Sequence, residues 1–138
     1  METTHKITGR AQRDREFMEL FHHTLDVMLA AGVPQATEQA ARFTIANGSP
    51  HYPVGHERAC MVVRQLLRHP YKGQLTVRQQ MWTELTERVR WLIGCGVSLP
   101  AAVELVLTHC RASCFHLSLS TATTHICTRA NVRRRALR

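Results

Sequence analysis

The chain states one pattern twice, and that duplication limits the architectures open to it. Leu29-Ala30-Ala31-Gly32-Val33-Pro34 recurs as Ile93-Gly94-Cys95-Gly96-Val97-Ser98. An amphipathic run precedes each copy, Phe17 to Leu29 and Met81 to Ile93; a second apolar run, a short turn and a third run follow it. The offset is 64 residues through the first two runs. After the turn it becomes 63, pairing Tyr52 with Phe115, Val54 with Leu117, Gly55 with Ser118 and Ala59 with Ala122. A repeat of this kind is one supersecondary unit used twice. Units this small need a neighbour to bury enough apolar surface, so the two are expected to share a core.

The runs read as helices. Phe17, Phe21, Leu25, Met28 and Leu29 recur at spacings of three and four, which predicts a first helix from about Ala11 to Ala31 with these residues on its buried face. Gly32 supplies the left-handed cap that ends it, and Pro34 suits the first turn of the next helix, which runs to about Ala46. Asn47-Gly48-Ser49-Pro50, with Pro53 behind it, breaks regular structure. A third helix follows from His56 to His69, with Ala59, Val62, Val63, Leu66 and Leu67 as its buried stripe, and Pro70 stops it. Thr76 and Gln79 have capping-box spacing ahead of a fourth helix, Val77 to Ile93, whose apolar face is Met81, Leu85, Val89 and Leu92 with Trp82 beside it. Ser98 caps a fifth helix, Leu99 to about Cys110. Phe115 to Ser120 reads as an extended turn into a sixth, Ser120 to about Arg135. The expectation is an all-α fold of about six helices in two tandem three-helix units. Residues 1–10 form a flexible arm, 11–69 the first unit, 70–76 a linker, 77–132 the second unit and 133–138 a basic tail. The units pack through helices one and four.

The formal charge is +8 over 138 residues, and arginine supplies it, sixteen Arg against two Lys. Such an excess favours planar anionic groups, which the guanidinium fork grips in pairs of hydrogen bonds. Glu104 is the last acidic residue; Arg111, Arg129, Arg133, Arg134, Arg135 and Arg138 follow it unopposed. Five cysteines without a secretion signal favour reduced thiols and a cytoplasmic location. Cys95 and Cys110 align with Ala31 and Ala46, which reads both as core fillers. The apolar runs are too short and too interrupted by charge to cross a membrane.

A helix, a tight turn, a second helix, an extended turn and a third helix is the order of the three-helix DNA-binding modules, whose last helix enters the major groove. In the first copy that helix offers His56, Arg58, Arg64, Gln65 and Arg68. Arginine pairs with guanine edges and glutamine with adenine edges. Arg129, Arg133, Arg134 and Arg135 would add phosphate contacts. Ser49-Pro50-His51-Tyr52-Pro53-Val54-Gly55-His56-Glu57-Arg58-Ala59 also resembles a segment of the form S-P-x-R-F-Y-V-S-x-E-x-A, shortened by one residue. That segment belongs to small helix-turn-helix-like proteins of Bacteroides-type mobile elements. Ser113 to Ala122 resembles it more weakly, and both copies lack the arginine before the aromatic. The resemblance implies a genomic setting and no activity.

Other chemistry is weaker. His109, Cys110, Cys114 and His116 are residue types that hold zinc, but their spacing matches no established zinc pattern, so no metal or other cofactor is expected. No phosphate loop, nucleophile elbow or carboxylate pair is present, and the chain does not read as an enzyme. The expected partner is duplex DNA, with no membrane. The rival reading is a helical adaptor, or a homodimer, that uses an exposed apolar groove to which Trp82, Trp91 and Met61 would contribute.

Overall fold

A computed structural model describes residues 9–127, with side chains through Thr124. Helices account for all its regular structure: α1 Gly9–Ala30, α2 Ala36–Asn47, α3 His56–Arg68, α4 Val77–Gly94, α5 Leu99–His109 and α6 Leu119–Thr121, which continues as a π-helical stretch, Ala122–Cys127. The all-α class holds. The expected arm at 1–10 lies outside the described residues except for Gly9 and Arg10, which are the first residues of α1. The basic tail and the part of the sixth helix beyond Cys127 lie outside them too.

The repeated Gly-Val turn has a single geometry in both copies. The Val33 amide donates to the Met28 carbonyl at 3.0 Å and the Gly32 amide to that of Leu29 at 3.1 Å. Val97 to Leu92 at 3.1 Å and Gly96 to Ile93 at 2.9 Å repeat the pair. This is the Schellman cap, and its turn residue must take positive φ. Gly32 has φ 74° and Gly96 φ 99°. Pro34, expected at the start of α2, instead lies in a longer turn whose last residue, Gln35, has φ 52°. After it the copies lose register. Buried Ala40, Ala41 and Thr44 of α2 answer to Ala102, Val103 and Val106 of α5, two residues out of step with the turn.

Two buried clusters form, and they are not the expected units. One joins Ala59, Val63 and Leu66 of α3 to Met81, Trp82, Leu85 and Val89 of α4 and Ala102, Val103 and Val106 of α5. The other joins Phe17 and Phe21 of α1 to Ala40 and Ala41 of α2, with Phe115, Leu117 and Ala122 from the far end of the chain. The third helix of each copy therefore completes the core of the other. α3 packs on α4 and α5, and the principal contacts do not include α1 with α4. The division at 70–76 is a loop inside one core rather than a linker between two.

Local chemistry explains the exchange. From Gly48 the backbone leaves α2 extended, and Pro50 and Pro53 hold it so. This extended run delivers α3 to α4 and α5 rather than to α1 and α2. The second connector crosses the first: the Ala112 amide donates to the Pro50 carbonyl at 2.8 Å and the Phe115 amide to that of Ile45 at 3.1 Å. At the crossing the edge of the Phe115 ring occupies the place where a Cβ on Gly48 would sit, so only glycine fits. Phe115 then meets Phe17 edge to face, with centroids 5.2 Å apart.

Other expectations shift. Leu29 is 59% exposed, because the apolar face of α1 is completed by the residues before it. Cys95 is the exposed C-cap residue of α4, and Ala31 is exposed directly after the last residue of α1, so neither fills a core. Cys110 is half-buried against the α3–α5 cluster. Trp82 is 3% exposed and belongs to the core, whereas Trp91 is 70% exposed.

Exchange makes a firm prediction. A protease site inserted after Gly73, in the exposed loop between α3 and α4, gives two fragments on cleavage, each carrying a helix that the other needs. They are expected to co-elute in native size-exclusion chromatography and to part only in denaturant. Separation under native conditions would refute the exchanged arrangement.

Candidate nucleic-acid interface

The third helix stands out by how sharply it is divided. Glu57 lies in its first turn, favourable against the helix dipole. Ala59, Val63 and Leu66 are buried, with Val62 and Leu67 half-buried on either side of them. At 100° per residue the opposite side runs in the order Arg64, Glu57, Arg68, Met61, Gln65, Arg58, and all six are exposed. Four of the five residues expected to contact DNA on this helix thus share one arc. The fifth, His56, stands apart, its Nε2 2.9 Å from the Pro100 carbonyl oxygen, which joins the start of α3 to α5. Between them opens a groove of about 620 Å³ lined by Arg58, Cys60, Met61, Arg64 and Pro100 among others. Burial raises the Cys60 thiol pKa, against the pull of the Arg64 guanidinium.

Arg129, Arg133, Arg134 and Arg135 lie outside the described residues. His109, Cys110, Cys114 and His116 do not converge: among the described residues no group of three or more side chains is placed to hold a metal ion. The repeat also carries no second cationic arc among the described residues. Thr121 and Thr124 of the sixth helical segment stand where α3 has Arg58 and Met61.

Behind α3 lies a polar clasp that sequence reasoning missed. Glu84 of α4 accepts from the Tyr52 hydroxyl of the first connector, from the Ser113 hydroxyl of the second, and from the Ser113 amide at 3.1 Å. His116 Nε2 lies 3.7 Å from the same carboxylate. Arg88, one turn on, places its guanidinium carbon 5.8 Å from the centre of the Tyr52 ring and donates to the Arg111 carbonyl at 2.7 Å. On the far side Glu16 of α1 takes the His51 amide at 3.2 Å, His51 Nδ1 at 2.8 Å and Arg111 Nη1 at 3.5 Å. The sequence signal was an acid directly beside an apolar stripe, Glu84 next to Leu85 and Glu16 next to Phe17.

The clasp sets the ionisation of its members. Burial works to raise the Glu84 pKa, but hydrogen bonds from Ser113 and Tyr52 and the nearness of His116 outweigh it, and the carboxyl ends below its usual range. Burial, with the Glu84 hydrogen bond and charge, pushes the Tyr52 phenol far above its usual value. Burial lowers the His116 imidazole and Glu84 recovers only part of the loss.

Comparison of the chain with protein-family models, characterised proteins and solved structures returns no match.

Two predictions follow from the clasp. Glu84→Ala leaves the buried Tyr52 hydroxyl without its acceptor and is expected to cost about 1–3 kcal/mol in denaturant unfolding. In a Tyr52→Phe background the same change should cost clearly less; equal costs would mean that the two side chains are not coupled. The second prediction concerns pH. His116 titrates below its ordinary 6.5 in the folded state, so as pH falls past that value the unfolded chain binds the proton first and stability declines. Glu84, also depressed, contributes stability that is present above 4.5 and lost below it as the pH approaches the folded-state value. His116 has φ 48°, which asparagine tolerates. His116→Asn should therefore flatten the fall in Tm just below pH 6.5 while keeping the fall below 4.5; an unchanged profile would remove His116 as the cause.

Proposed function

We propose that the protein binds duplex DNA through the outward arc of α3. The observation that carries the reading is the arc itself, where Arg58, Arg64, Arg68 and Gln65 are all exposed on one side of the helix and Glu57 is the lone acid. The expected net charge of a phosphate-binding helix is positive, and guanidinium groups bind phosphate and guanine in the same forked geometry. The +8 charge of the whole chain adds long-range attraction. Arg129, Arg133, Arg134 and Arg135 would add phosphate contacts.

A second reading has one observation in its favour. Trp91, 70% exposed on α4, is a large apolar side chain open to a protein partner. The adaptor reading loses Trp82, which is buried, and keeps Trp91 and Met61.

Fluorescence anisotropy with a short random-sequence duplex separates the two. DNA binding is expected to weaken with salt, and about five neutralised phosphates give a slope of about −4.5 in log affinity against log salt. Replacing Arg58, Arg64 and Arg68 with alanine should make the slope shallower by about 0.9 for each phosphate no longer neutralised. Absence of binding at low salt would leave the adaptor reading in possession.

A further inference from the structure

We infer, on the footing of DNA binding through α3, that Met61 is a specificity-determining residue that reads the 5-methyl group of thymine. Met61 lies at the centre of the cationic arc and is 54% exposed. Its neighbours one turn away are Glu57, Arg58, Arg64 and Gln65, all polar and all exposed. A large apolar side chain in that position has no packing role in either core, since neither buried cluster includes it. It also lines the groove beside Arg58 and Arg64.

The chemistry of the partner narrows what Met61 can meet. Phosphates and most base-edge atoms in the major groove offer hydrogen-bond donors and acceptors, which suit Arg58, Arg64, Arg68 and Gln65. The distinctive apolar feature there is the methyl group of thymine. A thioether on an unbranched chain has the reach and adaptability to cover it, and burying that methyl removes apolar surface from water on both sides. Flanked by residues that bind guanine and adenine edges, Met61 would fix thymine at the middle of the sequence that α3 contacts. The misfit of an exposed methionine in a charged face is then a feature of recognition. The positive charge on both sides makes DNA, rather than an apolar protein segment, the occupant that fits this face.

The test begins with selection of tight-binding duplexes from a random pool by the full-length protein. Affinity is then measured for the best duplex and for the same duplex carrying uracil at each thymine in turn. At one position, loss of the methyl should weaken wild-type binding about fourfold, the amount expected for one buried methyl group. Met61→Gln should bind the thymine and uracil duplexes equally, and Met61→Leu should retain part of the preference. Equal binding of thymine and uracil duplexes by the wild type would overturn the assignment, as would salt-dependent binding with no enriched sequence, and both would leave DNA binding intact. Absence of binding to any duplex at low salt would remove both. A thymine preference that persists undiminished in Met61→Gln would place the reading on another residue and overturn the role given to Met61.

Discussion

The crossing of the two connectors is the constraint on which the other features depend. Because each copy sends its third helix to the other, the polypeptide passes between the two cores twice, and both passages meet where Ala112 bonds to Pro50 and Phe115 to Ile45. Extended backbone between two apolar clusters must find partners for its amides and carbonyls. The side chains beside the crossing do much of this: Glu84 takes the Ser113 amide, Glu16 takes the His51 amide, and Arg88 and Arg111 donate to the carbonyls of Arg111 and Ser49. Carboxylates this close to a core would be costly if unpaired. Here each faces several donors, and the same bonds that settle the charge also lock the crossing.

This arrangement determines how α3 is presented. Its buried stripe rests on α4 and α5, Tyr52 anchors the connector that leads to it, and His56 is joined to the backbone of α5. A helix held at its start, along its inner face and through its incoming strand of chain has little freedom to rotate. Side chains that read a surface gain from such a mount, since base contacts tolerate only small errors in position. The crossing and the outward arc are thus two ends of one structural argument.

Much of this is legible in the residues, and the illegible part has a clear cause. The Gly-Val turns, the Thr76 and Gln79 capping box, and the limits of α3 are local matters, each set by a few residues whose backbone preferences point one way. The exchange of helices is not local. Periodicity shows that Ala59, Val63 and Leu66 are buried, but it does not show against what, and two related helix pairs offer similar surfaces. The two prolines of the first connector are legible as breakers of helix; their effect on the direction of the chain is not. Cys95 misleads for a different reason. It aligns with a small apolar residue, but Ala31 itself sits at an exposed cap, so similarity of size carries no information about depth.

The copies differ most where the core places no demand. Ala59 and Ala122 occupy corresponding positions, both are fully buried, and any larger side chain would have to displace the helices each lies against. Outside that point of contact they diverge. α3 is thirteen residues of regular helix with arginine along its surface, whereas the sixth segment keeps three α-helical residues before it widens into π-helical geometry. In this segment the Thr123 hydroxyl donates to the Leu119 carbonyl at 2.9 Å and lies 3.4 Å from that of Ser120. Completion of a core asks only for a small residue and an apolar edge, which both segments retain. A regular, charged outer face is a separate requirement, which α3 meets and the described part of the sixth segment does not.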